Sequence, residues 1–349
     1  MTTPAISPVT QPNFPATVVA PPLVLSLTGE GLPSADRVQE EIAYVLNKTL
    51  TPDLSHWANE YGKVGHRNVY LWKWCHQGVA VTTLSCVLPE YFDNVCDTKV
   101  MGVILDVLLD DIADRKGDDG LLEALTSLSI NGPRPTFAGY PARQRAYAEF
   151  AVLVWDEIVA RARRYPLFDQ YAKVLDYDYR QLFNVMRYSH LANEHIELLN
   201  LAEHDLYTPH NMHMIISSTL DLMCSPGFDR NEWGQVRDAA WHAQCMGRIG
   251  NLTTTWEREL GDADYSSGVY ASALNSGDLS IEQLRAGDRE QIKRAIVEGK
   301  HEVKFLKQWQ EHRRYLLSQI PRVRSFDLGK LVTGLERPIC LHLGSRGYK

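Results

Sequence analysis

The sequence predicts an all-α fold, on three observations. From Ser34 onward apolar residues recur with helical period in long segments. Gly and Pro gather between those segments, as in "NGPRPTFAGYP" and "CSPGFD", and mark turns. Short β-branched runs such as "VAVTTL" have no hairpin signal beside them. The first helix is announced by "SADRVQEEIAYVLNKTL", which opens with a Ser cap and an acidic first turn. Further helix-length segments follow near residues 69–87, 95–115, 142–163, 167–200, 209–223, 229–260 and 279–318. The reading is a single bundle of about ten helices over residues 34–349, without internal repeat or linker. Residues 1–33 are rich in Pro and Thr and read as a flexible tail.

Bulk composition narrows the function. The chain has 349 residues, 44% of them hydrophobic, enough for a sizeable core. A net charge of −7 offers no basic surface of the kind nucleic acid needs. The six cysteines are dispersed without a CxxC pair, several inside apolar runs, which predicts reduced, buried thiols and a cytoplasmic protein. No run of eighteen apolar residues appears, so no membrane span is expected. The stretch "FPATVVAPPLVLSL" is faintly like a signal core, but prolines interrupt it and no Lys or Arg precedes Arg37.

Candidate chemistry begins at "VILDVLLDDIADRKGDD". Asp110, Asp111 and Asp114 stand together at the end of an apolar helix, either as a solvated helix end or as a divalent-cation site. Asp106, inside "ILDVLL" and one turn before Asp110, is poorly placed to be merely solvated. A second oxygen-bearing stretch is "RIGNLTTTWERELGD", where Asn251, Thr255 and Glu259 are spaced i, i+4, i+8 along one helix stripe. Arg248 and Arg258 flank that stripe and suit bidentate phosphate binding.

Together the two stretches resemble the motifs of class I terpene synthases, the bacterial-type terpene cyclases. Asp110-Asp111-Ile112-Ala113-Asp114 matches their Asp-Asp-x-x-Asp motif, and Asn251, Thr255 and Glu259 match Asn-x₃-Ser/Thr-x₃-Glu in all three ligand positions. The order and separation are also similar. The resemblance implies a helical bundle around a central cavity and three Mg²⁺ ions held with the diphosphate of a prenyl substrate. By that resemblance the metal ligands are Asp110, Asp111, Asp114, Asn251, Thr255 and Glu259, with Asp110 the leading ligand. Arg248 and Arg258 would contact diphosphate, and Arg314-Tyr315 resembles the Arg-Tyr pair that clamps it. Leaving-group departure would be followed by cation cyclisation in a dry chamber with aromatic faces. Trp72, Trp74, Tyr91, Phe92, Trp155 and Trp256 sit near the relevant helices, although core packing explains most such residues.

The sequence departs from the family's bacterial pattern in one place. No Lys or Arg lies between Arg187 and Arg230, where a diphosphate-sensing Arg is usual; "YTPHNMHM" stands there, followed by Ser217 and Ser218 at the expected helix break. That arrangement resembles synthases receiving bicyclic C20 diphosphates. The expectation is therefore a diterpene synthase acting on geranylgeranyl or copalyl-type diphosphate. A sesquiterpene synthase using farnesyl diphosphate, or a non-catalytic isoprenoid-binding helical protein, remains the alternative. A chain-elongating prenyltransferase would need a second aspartate-rich motif, which "GNLTTTWERE" is not. A homodimer is left open.

Overall fold

The computed structural model describes residues 31–113 and 119–346; of the expected tail, residues 1–30 fall outside that range, as does Asp114. Among the described residues there are fifteen α-helices and no strand, against about ten expected and eight periodic segments in the sequence. The additional ones are mostly short. Pro52–Tyr61 (α2), Asp119–Thr126 (α5), Leu201–Tyr207 (α8) and Gly268–Ser276 (α11) are too brief for an amphipathic period to register. The expected 279–318 segment is three helices, Ile281–Ala286 (α12), Arg289–Glu298 (α13) and His301–Gln319 (α14). Left-handed backbone at Gly287 and Lys300 separates them. The last helix, Leu328–Gly344 (α15), carries Pro338 in its interior, which disguises it in sequence.

Local chemistry sets the helix starts. Ser34 accepts the Arg37 N–H to begin Ala35–Asn47 (α1), and Thr51 and Asn68 cap α2 and Val69–Thr82 (α3) in the same way. Phe92–Ala113 (α4) is different. Its buried residues lie all round it, as expected of a helix at the centre of a bundle rather than at its surface.

Six helices close a ring. α4 packs on α3, α3 on α15, α15 on Trp233–Asp262 (α10), α10 on Met214–Met223 (α9), α9 on Phe168–Glu194 (α7), and α7 back on α4. Ala142–Ala162 (α6), α2 and α5 back the ring on the α4 side, and α14 backs α10. Polar ties fix the seams. Asp178 of α7 accepts from Thr219 of α9 at 2.7 Å and pairs with Arg237 of α10 at 2.8 Å. Lys99 of α4, fully buried, pairs with Asp221 of α9 at 2.6 Å.

The break in the wall lies between α8 and α9. A 3₁₀ turn over Thr208–Met212 ends at His213, whose φ of 61° is left-handed, and α9 starts at Met214. The expected break at Ser217 and Ser218 is thus four residues too late; both serines lie inside α9. The His213 ring fits only because Gly102 faces it: a Cβ there would collide with the imidazole.

Candidate active site

The ring encloses a cavity of about 230 Å³. Its deeper wall is largely apolar, with Leu71, Val79, Val103, Met246, Leu335 and Ile339 among the lining residues. Its mouth is polar and carries Asp106 and Asp110 from α4, Asn251, Thr255 and Glu259 from α10, and Arg67, Arg248, Arg258 and Asp264. Helical spacing explains the grouping: Asp106 and Asp110 share one stripe of α4, and Asn251, Thr255 and Glu259 share one stripe of α10.

The remaining predicted residues separate from this group. Asp111 does not line the cavity; it is buried and accepts from Arg67 Nη2 at 2.7 Å. Adjacent residues of a helix point about 100° apart, which turns Asp111 away from the face that carries Asp110. Arg314 and Tyr315 do not line the cavity either. Arg314 is exposed, and Tyr315 stacks on His242 and donates to Asp238 at 2.8 Å, on the face of α14 turned towards the outer side of α10. Of the aromatic candidates only Trp74 lines the cavity. Trp72, Trp155 and Trp256 are buried core, and Phe92 is exposed. Trp309 of α14 lines it instead.

Two mouth residues had no motif to announce them. Arg67 sits in the connection before α3 and reaches the mouth only through the packing of α3 on α4. Asp264 returns to the cavity because Ala263, at a φ of 59°, turns the chain back, with the Asp264 N–H bonded to the Glu259 carbonyl. A left-handed Ala gives no sequence signal.

The carboxylates are crowded. Burial, with Asp264 and Asp111, pushes Asp110 up to about 6 against the pull of Arg67. Burial and Asp264 push Glu259 up to about 7, with Arg248 opposing. Burial raises Asp106 well above the ordinary carboxylate range, and Asp110 adds to the shift. The Asn211 side chain lies 2.8 Å from both Asp106 oxygens and its nitrogen 3.5 Å from Asp110 Oδ1. The amide therefore sits between the two carboxyl groups, within hydrogen-bonding distance of both. Asn211 thereby joins the helix break to α4.

The donor set fits a hard divalent cation. Asp110, Glu259, Asn251 and Thr255 offer only oxygen, and burial makes each bare carboxylate costly, a cost that a bound cation would relieve. Asn251 Oδ1 here accepts from Arg248 at 3.0 Å, a bond that a ligating amide would exchange.

No protein-family model matches the chain, and no curated protein matches it in sequence. Solved structures do. Isoprene synthase from grey poplar leaves, determined with three Mg²⁺ ions and dimethylallyl-S-thiolodiphosphate, matches 88% of the chain with a TM-score of 0.59 at 11% identity. The fold is that of the terpene synthases. Abietadiene synthase from Abies grandis matches 88% of the chain at a TM-score of 0.56 and 14% identity. Linalool/nerolidol synthase from Streptomyces clavuligerus, with 2-fluorogeranyl diphosphate, matches 84% at 0.53 and 14%. The chain spans 54% of the poplar enzyme and 38% of the fir enzyme, but 98% of the Streptomyces one. No described helix of this terpene-synthase fold is long and apolar enough to cross a membrane.

Proposed function

We propose that this protein ionises a prenyl diphosphate and cyclises the hydrocarbon, releasing diphosphate. One observation carries the reading: acidic and oxygen-bearing side chains of α4 and α10 line the same cavity as a largely apolar set of residues. Bound between those helices, Mg²⁺ would supply charge neutralisation of the leaving diphosphate. Asp110, Asn251, Thr255 and Glu259 would hold it, and Asp114 is proposed with them from the motif alone. Arg67, Arg248 and Arg258 suit the diphosphate oxygens. Val103, Val107, Leu335 and Ile339 exclude water from the cation, while the faces of Trp74 and Trp309 offer it attraction without trapping it.

The substrate proposed from the sequence is C20, linear geranylgeranyl or bicyclic copalyl-type diphosphate, on the strength of the arginine-free stretch that places Asn211 at the helix break. The chamber favours a second reading. At about 230 Å³ it is below the usual size of ligand pockets, which supports the shorter C15 farnesyl diphosphate. The test is Mg²⁺-dependent release of inorganic diphosphate from C10, C15, C20 and C25 prenyl diphosphates and from copalyl diphosphate, with gas chromatography of the products. Turnover of the C15 compound alone overturns the C20 proposal. No diphosphate release from any of them overturns the catalytic reading in favour of a non-catalytic isoprenoid-binding protein.

A further inference from the structure

Outside the cavity, three ligand-type groups converge near the end of the aspartate-bearing helix α4. His190 of α7 is buried, and its Nδ1 lies 2.9 Å from the Ala113 carbonyl oxygen. A carbonyl only accepts, so Nδ1 carries a proton and donates. Nε2 then faces Asp119 Oδ1 at 2.8 Å and Glu194 Oε1 at 3.9 Å. A bare lone pair on Nε2 would meet two anionic oxygens with nothing positive between them. The arrangement therefore requires a positive particle, either a second proton on the ring or a metal ion.

We propose that His190, Asp119 and Glu194 bind a divalent transition-metal ion, independently of the cavity and of the prenyl diphosphate reading. Their ligand atoms all lie within 4.8 Å of one another. A tetrahedral ion with bonds of about 2.0–2.2 Å needs ligand atoms about 3.3 Å apart, a spacing bracketed by the 2.8 and 3.9 Å observed. His190 and Glu194 are one helical turn apart on α7, and Asp119 opens α5 beside them. The Ala113 carbonyl supplies what metal-bound imidazoles ordinarily have, an acceptor that fixes the tautomer and ring plane. One imidazole with two carboxylates suits Zn²⁺, Co²⁺ or Mn²⁺ and discriminates against Mg²⁺, which prefers oxygen alone. Asp119 and Glu194 are exposed, so an ion enters from solvent without opening the fold. The competitor is the proton: burial lowers the basicity of His190, but the Ala113 carbonyl and Asp119 more than offset it. Because Ala113 closes α4, an ion here would also fix the end of the helix that carries Asp110.

The experiment uses the full chain stripped of metal by a chelator, without any diphosphate, titrated calorimetrically with Zn²⁺ and spectroscopically with Co²⁺. The wild type is expected to bind one ion that is retained when the cavity ligand Asp110 is removed. The Asp119→Asn/Glu194→Gln double variant, altered only at exposed positions, should bind it at least tenfold more weakly, and Asp110→Ala should bind it as the wild type does. Absence of binding in the wild type, or equal affinity in the double variant, overturns the site and leaves an imidazolium ion pair. A Co²⁺–thiolate charge-transfer band overturns it as well, by placing the ion on a cysteine.

Discussion

Two clusters of buried charge share helix α4 and differ in one respect. Deep in the bundle, Lys99 lies 2.6 Å from Asp221 and donates to Thr83 at 2.9 Å, while the Leu84 N–H bonds the other Asp221 oxygen at 3.0 Å. Charge is matched there one for one. At the cavity mouth Asp110, Glu259 and Asp264 crowd together, while Arg67 is engaged by Asp111, Arg248 by the Asn251 amide, and Arg258 is shared between Asp262 at 3.0 Å and Glu259 at 3.9 Å. Matched buried charge holds a fold in register, whereas buried negative charge in excess lowers stability unless a cation arrives. The first cluster belongs to the architecture and the second to a ligand.

The largest effect that would break this contrast is on activity. Asp110→Ala and Glu259→Ala should each reduce diphosphate release by about a thousandfold or more, as loss of leaving-group stabilisation implies. Their circular dichroism should stay that of the wild type. A Glu259→Ala variant that kept near-native turnover would remove the mouth from the mechanism. Lys99→Met should do the reverse, destabilising the protein by about 3–5 kcal/mol in denaturant titration by stranding Asp221, and lowering activity only through loss of folded protein.

The pH dependence sharpens the comparison further. Glu259 has its folded value raised to about 7, above that of the unfolded chain, so the native state holds a proton that the unfolded state has released. Stability of the Mg²⁺-free protein is therefore greater below this window and falls as pH rises through about 7. Glu259→Gln should reduce that fall by about 1 kcal/mol, read as the difference in unfolding free energy between pH 6 and pH 8. Equal pH profiles for the variant and wild type would show the Glu259 carboxylate to be adequately compensated.

Two smaller effects follow. Asp106→Asn keeps a hydrogen-bonding group beside Asn211 and should hold diphosphate release within about threefold of wild type, while Asp106→Ala removes the 2.8 Å partner of the Asn211 amide and costs about 1–3 kcal/mol of stability. Arg314→Ala and Tyr315→Phe should change turnover by less than about twofold, since exposed side chains remote from a site contribute little. A tenfold loss in either would mean that α14 closes over the mouth during catalysis.

Part of the mouth is legible in the amino-acid order alone. Asp110, Asn251, Thr255 and Glu259 stand out there because a helix converts spacing of four into a shared face, so local period alone dictates which side chains travel together. Apolar period likewise dictates the all-α class. It fails for α2, α5, α8 and α11, where fewer than three turns give no stripe to read, and for α15, where Pro338 masks one.

What the sequence determined by itself is thus what arises within one helix: its existence, its face and the donor atoms along it. Which faces oppose one another was decided by tertiary packing. The ring of α3, α4, α7, α9, α10 and α15 brings the α4 and α10 stripes to one mouth, turns Asp111 away to Arg67, and leaves Arg314 and Tyr315 outside. Arg67, Asp264 and Trp309 reach the cavity through long-range contact or a left-handed turn, and His213 breaks the wall where Gly102 leaves room. Neither a contact with residues distant in the chain nor a single left-handed residue leaves a local period to read.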